Sequence, residues 1–579
     1  MRKIIKNGEV ILLIFLVLAF VSFTFLYLNT SVKVEKPDIT DKASSLENWT
    51  VEDSDLNGLP IKEDKSIYPN TPDTNIYDVY ITIFPTKDEN GELLDFSDFS
   101  KHTSRDHAYN PVLNCNIQIL NEDEKLDPIT VTDKTNATIR VRGNSSRGDL
   151  YKSYKIKLDD EAKTFFGQSV LNINKHSEDR TKILTKFSAD MLIGMPDMVS
   201  YRTNFMRVWI KDDSLPIEDR KYEYYGLYTN IEQPNKTFLE VRGLDSNCSM
   251  YKARNFSFQK DELIRNIDDP EYSEVEFEQV LTIREAEDHT KLIELLEAIN
   301  NPTMGFEELF STYFNEDNYL TWLAFNLLVG SEDILNHNFI IYSPNNSKTW
   351  YFIPWDFDAN MDAISSNAIA PSLRSGQKLN MVTLHKKFFK YPGSIDKLNE
   401  KIIELKNEYF TEENIRSYTD LYLPVLEKTL PYYPDLSLLK SGPVEVVEHI
   451  NSFSDIIQQN YDNFLYSFNF PAPMFVSAPE KNNDGTLHLA WEPSYSYQGR
   501  TITYKVKIYD TYKMDKILFE QENIVGTTLD VDINLQPGKY YLEVKAVDSE
   551  SNEQFSLEHY EFAGVEFIYV NGLLEFTIE

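Results

Sequence analysis

Residues 318–361, NYLTWLAFNLLVGSEDILNHNFIIYSPNNSKTWYFIPWDFDANM, decide the fold. An apolar run with helical spacing, Tyr319, Trp322, Leu323, Phe325 and Leu327, ends at Gly330, the residue type that most readily closes a helix. Asp333 follows in the short segment beyond it, and five residues later Asn338 opens a β-like run over 339–342. A second strand over 350–354 delivers Asp356 and Asp358 at its end. A hairpin between the two strands brings Asn338 and the aspartate pair towards Asp333.

Oxygen donors in this pattern suit a hard cation, and phosphoryl transfer needs such a cation together with a carboxylate that receives the hydroxyl proton. The order Asp, five residues, Asn, hairpin, Asp is that of protein kinases, in which the first Asp sits in the catalytic loop and the later Asn and Asp hold metal. On that reading Asp333 is catalytic, Asn338 and Asp356 are metal ligands, and Asp358 is an additional one. Two acids directly after a buried strand have no packing reason to be there. The other reading of each is a turn former.

Upstream, Arg142, Asn144, Ser145, Ser146 and Arg147 lie at a glycine-bearing turn, RGNSSR. Small residues there let backbone N–H groups approach a phosphate, and arginine supplies bidentate charge. A solvated β-turn is the competing reading. In the next strand Tyr154, Ile156 and Leu158 share one face and Lys155 and Lys157 the other. A kinase-like fold needs one strand lysine on the phosphates; Lys152 is the first choice and Lys155 the second. Glu232 ends an alternating strand, where it pairs with that lysine, faces the adenine, or lies exposed. Lys252 is a further basic candidate.

Several blocks, RVRGNSSRGDLYKSYKIKL (140–158), YGLYTNIEQPNKTFL (225–239), MYK (250–252), SEDILNHNFIIY and FIPWDFD, together resemble the spore-coat protein H (CotH) kinase-like family, in the family's order across 75–465. The resemblance implies an α+β, atypical protein-kinase-like domain over 71–468. It implies transfer of the ATP γ-phosphoryl group to Ser or Thr of a surface or spore-coat-type protein, with Mg²⁺ or Mn²⁺. The alternative is a non-catalytic surface adhesion or scaffold protein on the same fold.

The 579 residues carry 92 acids against 57 bases, a formal charge of −35. Such a surface repels nucleic acid and suits a basic protein substrate, and any nucleotide site must bring its own cations. The two cysteines, Cys115 and Cys248, offer neither zinc spacing nor a disulfide framework.

The run over 10–28 is uncharged and mostly apolar, about 28 Å as a helix, and follows Arg2, Lys3 and Lys6. It reads as a signal anchor that leaves the bulk of the chain outside the membrane. Residues 31–70 read as a flexible tether. From Pro471 onward, Trp491, the alternation over 504–509 and Pro537-Gly-Lys-Tyr540 resemble a fibronectin type III β-sandwich over 469–579. Asn571-Gly572 signals a terminal hairpin there.

Overall fold

The computed structural model describes residues 58–579 except 89, 102–109, 122–123, 125–133, 144, 178, 332–333, 359–360, 362–375, 564–566 and 579. The candidate membrane segment over 10–28 lies outside the described residues. Among the described residues no helix is long and apolar enough to cross a membrane.

The chain is α+β. Seven strands close into a barrel: β1 (Ile76–Ile83), β2 (Leu113–Leu120), β3 (Ala137–Arg142), β4 (Ser153–Leu158), β5 (Val170–Asn174), β6 (Thr203–Asp212) and β7 (Glu223–Glu232). Neighbouring strands pair antiparallel except where β1 runs parallel to β6, Ile76 opposite Phe205 through Ile83 opposite Asp212, which closes the ring. Closure removes the exposed edges that an open sheet would carry. Strand alternation decides what goes inside. Ile139 and Val141 from β3 and Tyr154, Ile156 and Leu158 from β4 fill the barrel, while Arg140, Arg142 and Lys155 are left on its outer face.

A second antiparallel sheet follows the order β9 (Leu281–Glu285), β8 (Cys248–Ala253), β10 (Phe339–Pro344), β11 (Tyr351–Pro354). Behind it lies the helix Glu316–Val329, started by the Asn315 cap and ended by Gly330 at φ 69°. The Ser331 amide returns to the Asn326 carbonyl at 2.9 Å, so the chain leaves the helix in a left-handed turn. Asn318 on this helix fastens the sheet. Its Oδ1 accepts the Phe352 amide at 2.7 Å, and its Nδ2 donates to the Phe352 carbonyl at 3.1 Å. The Trp322 and Phe352 rings stack beside it, 4.4 Å apart.

Two long apolar runs are each divided into two helices. The first is Phe306–Tyr313 and Glu316–Val329, because Asn315 caps a new helix; the second is Pro443–Asn451 and Phe453–Ser467. Part of the expected tether is also built into the domain. Ile61 and Tyr68 are buried, Glu63 pairs with Arg242 at 2.9 Å, and the Tyr351 hydroxyl donates to the Leu59 carbonyl at 2.7 Å. Burial of those side chains outweighs the polar composition around them. Both cysteines are buried free thiols.

Beyond 470, a three-stranded sheet (Glu480–Lys481, Leu487–Ala490, Thr528–Val531) and a larger one built on Ile502–Tyr509 and Gly538–Asp548 share one apolar core containing Leu489, Trp491, Val506 and Val544. The Tyr540 hydroxyl donates back to the Gln536 carbonyl at 2.8 Å. The expected terminal hairpin at Asn571-Gly572 does not form. Phe567–Asn571 pairs with His559–Ala563, whereas Leu573–Ile578 crosses to pair with Gly538–Asp548. Burial of Leu573 and Phe576 decides this, since the crossing puts both into cores that a two-stranded ribbon lacks.

Candidate functional site

The acidic half of the site is made by the β10–β11 hairpin. Phe339 lies opposite Pro354, so Asn338 and Asp356 flank the same end of the ladder. Both have left-handed backbones, φ 60° at Asn338 and φ 65° at Asp356. Asn and Asp tolerate that conformation better than other side-chain-bearing residues, so these two types can turn sharply off a buried strand. Burial and then the neighbouring Asp358 charge raise the Asp356 carboxyl above its usual range, against the pull of Lys252, Arg142 and His176. Asp358 moves the other way. Burial alone would raise it, but His176 and Arg142 more than compensate. Its side chain is 35% exposed.

The basic half comes from both sheets. Arg140 lies directly opposite Lys155 on the β3–β4 ladder, and Arg142 ends β3 opposite Ser153. Burial, then Arg140, Arg284 and Arg142, push the Lys155 ammonium down to about 8. Lys252 on β8 is likewise brought down to about 8, chiefly by burial, with Arg284 and Arg142 adding to the shift and Asp356 opposing it. Its ammonium stands 5.4 Å over the Trp355 ring. Arg284 on β9 is lowered to about 10 by burial and then by Arg142. Lys155, Lys252 and Arg284 are thus depressed by burial and by neighbouring cations, and Arg142 by burial, in a cluster that Arg140 joins and that lies beside two aspartates.

The residues singled out in the sequence divide into three groups. Arg142, Lys155, Asp356 and Asp358 are brought together, with Asn338 at the same end of the β10–β11 hairpin. Asp333 and Asn144 lie outside the described residues. Lys152, Arg147 and Glu232 serve elsewhere. The buried Lys152 ammonium donates to the Arg147 and Asp149 carbonyls at 2.8 and 2.9 Å, bracing the turn Ser145–Gly148, and its charged neighbours are Asp149 and Arg147. Arg147 is buried, its Nη1 3.4 Å from the Val141 carbonyl. Glu232 is neither exposed nor paired with a lysine; it is buried between Arg202 and Arg242, 2.5 Å from Arg242 Nη2.

Three contributors were undervalued or missed in the sequence. Lys252 stood there only as a further basic candidate. Arg284 is the lone cation in the short strand LTIRE, and His176 lies in an aperiodic run whose Nδ1 the fold brings to 3.9 Å from Asp358 Oδ2.

Among the described residues no group of three or more His, Cys, Asp or Glu side chains is already set to grip a metal ion. The donors at the end of this hairpin, Asp356, Asp358 and Asn338, are of the hard oxygen type that Mg²⁺ or Mn²⁺ takes.

A β-barrel set beside a helix-backed sheet, with paired carboxylates under a belt of cations, defines a protein with a buried polyionic centre. A family model described as CotH kinase protein matches residues 139–460, more than half the chain. The chain therefore belongs to the CotH kinase protein family. It is 24% identical over 242 residues to inner spore coat protein H of Bacillus subtilis (strain 168), a match covering 40% of this chain and 62% of that protein. The match thus spans less than two thirds of that relative. Among solved structures, the HipA–HipB toxin–antitoxin complex with operator DNA from Shewanella oneidensis MR-1 aligns with a TM-score of 0.23 and 11% identity, covering 51% of this chain and 58% of that one. At that level the likeness carries no inference.

Proposed function

We propose that this protein is an extracytoplasmic protein kinase that transfers the ATP γ-phosphoryl group to a Ser or Thr hydroxyl of a surface or spore-coat-type protein. The observation that carries this reading is the cluster of Arg140, Arg142, Lys155, Lys252 and Arg284 beside Asp356 and Asp358, in a chain whose formal charge is −35. Mutually repelling, desolvated cations are costly without an anion, and a polyphosphate is the anion that matches their number. Membership of a kinase family agrees.

In this reading Arg142, Lys155, Lys252 and Arg284 bind phosphate oxygens and hold the nucleotide, and Lys152 supports the adjoining turn. Asn338, Asp356 and Asp358 hold the divalent ion, which when bound neutralises phosphate charge. Asp333 takes the proton as the acceptor oxygen bonds to the γ-phosphorus and the bond to the β-phosphate oxygen breaks, releasing ADP. The acidic surface favours a basic acceptor protein. We place the chain at a membrane through residues 10–28, with its bulk outside, and read the module beyond 470 as a fibronectin-type spacer.

Nucleotide-dependent stabilisation tests the reading. ATP with Mg²⁺ or Mn²⁺ at 100 times its dissociation constant should add about 2.7 kcal/mol to the unfolding free energy. A melting profile unmoved by nucleotide would favour a surface display protein instead.

A further inference from the structure

One mouth of the barrel, where β1 and β6 begin and β7 ends, opens into a cavity of about 560 Å³ that the reaction set out above does not use. Small-ligand sites have volumes of this order, and barrel mouths are a common place for them. Beneath the cavity the barrel end is polar. Asn204 continues the inward face of Met206 and Val208 on β6 and lies directly opposite Asn230 on β7, whose Nδ2 donates to Gln168 Oε1 at 3.2 Å. None of the three residues is more than 5% exposed, yet Asn204 Oδ1, Asn230 Oδ1 and Gln168 Nε2 have no hydrogen-bond partner among the described residues. Buried polar atoms are nearly always satisfied, so two spare acceptors and a spare donor at one mouth call for an occupant. Water meets such atoms in many proteins, but it does not meet the charge beside them.

Asp73 carries that charge. Its Oδ2 accepts the Asn204 side-chain amide at 2.9 Å and the Tyr77 hydroxyl at 3.1 Å, and its Oδ1 accepts the Asn75 backbone amide at 3.0 Å. All three donors are neutral, and among the described residues no cation pairs with this carboxylate. The other charged side chains lining the cavity are already matched: Lys186 lies 3.1 Å from Asp190, and Arg202 pairs with Glu232. The cavity therefore holds one uncompensated negative charge. Its wall is aromatic, with Tyr77 and the half-exposed Phe166 standing edge to face, ring centres 5.9 Å apart. Rings beside a carboxylate suit a cation on an aliphatic stem, whose methylenes cover the rings while its charge meets the acid.

We propose that this barrel mouth is a second binding site, for a guanidinium or ammonium group on an aliphatic stem. The N–H groups of the ligand donate to Asp73 and towards the spare Asn204 acceptor, and its stem lies against Tyr77 and Phe166. A free amine and a basic side chain of a polypeptide carry the same group. The site does not rest on the nucleotide reading of the Asp356 centre.

The test is calorimetric titration of the full chain with agmatine and, separately, with acetyl-Gly-Arg-Gly-amide, in wild type and in the variants Asp73→Asn and Phe166→Ala. Wild type should bind one molecule per chain. Asp73→Asn should weaken binding about 10-fold or more, the loss of a charge-assisted contact, and Phe166→Ala about 3-fold, the loss of a cation–ring contact. Phe166 is half exposed, so its variant keeps the test open should Asp73→Asn fail to fold. Binding of agmatine alone identifies a free amine as the ligand, and binding of the peptide a polypeptide side chain; either supports the site. No binding of either probe at about 10 mM overturns it. Binding that is equal in wild type and both variants is adventitious attraction to the acidic surface, and overturns it too.

Discussion

Arg140 lies directly opposite Lys155 across the β3–β4 ladder, on the outer face of the barrel. Like charges in that position destabilise a sheet by a few tenths to about 1 kcal/mol. The arrangement becomes useful when an anion covers it. Replacing Lys155 with Gln should therefore raise the melting temperature of the ligand-free protein slightly while reducing the stabilisation that ADP or ATP confers. Thermal melts with and without nucleotide check this. Loss of apo stability with full nucleotide response would refute it.

Lys252 and Arg284 reach the same centre from the second sheet. Lys252→Met and Arg284→Gln should each weaken nucleotide binding by about 10-fold or more, the loss expected for a charge-assisted contact of about 1.5 kcal/mol or above. Isothermal titration with ADP measures it. Lys152→Met should behave differently, destabilising the fold by removing the donor to two carbonyls.

The Asn318 clamp on Phe352 sets where β11 ends, and with it where Asp356 lies. Asn318→Ala removes both hydrogen bonds and leaves the Phe352 amide and carbonyl unpaired in the core. The expected cost is about 2–4 kcal/mol in denaturant unfolding, since each buried unsatisfied group costs about 1–3 kcal/mol. Asn318→Asp should be at least as damaging, because a carboxylate cannot donate to the Phe352 carbonyl.

His385 is buried among Tyr319, Trp322 and Phe352, and its Nδ1 lies 2.8 Å from the Tyr319 hydroxyl. Burial holds its imidazole at about 3, far below 6.5. Between those two values the unfolded chain binds a proton that the folded chain does not. Its contribution to stability is whole above pH 6.5 and falls by about 1.4 kcal/mol per pH unit as the solution is acidified towards 3. Unfolding free energies measured from pH 7 to 4 should drop less steeply in His385→Gln than in wild type; parallel profiles would show that His385 is not held neutral.

Much of this was legible in the sequence where the signal was local. The alternation in β4 placed Tyr154 and Ile156 inside and Lys155 outside, and the PWDFD block announced a strand ending in acids. Features that depend on distant pairings were not legible. The companionship of Arg284 with Arg142 is created only when the second sheet meets the outer face of the barrel. Lys152 looked like a phosphate ligand because burial cannot be told from function in a single strand. Asn571-Gly572 carried the chemistry of a tight turn, but the pull of Leu573 and Phe576 into the core sent the strand to another partner.

The central claim is phosphoryl transfer at the Asp356 centre. It is tested most directly with labelled ATP, Mg²⁺ or Mn²⁺ and basic acceptor proteins, comparing wild type with Asp356→Ala and Asp333→Ala. The account expects label on the protein itself or on an acceptor with wild type, and a drop of at least about 100-fold in either variant while each keeps a cooperative melt. Undiminished transfer by folded Asp356→Ala, or none by wild type across several basic acceptors, would contradict it.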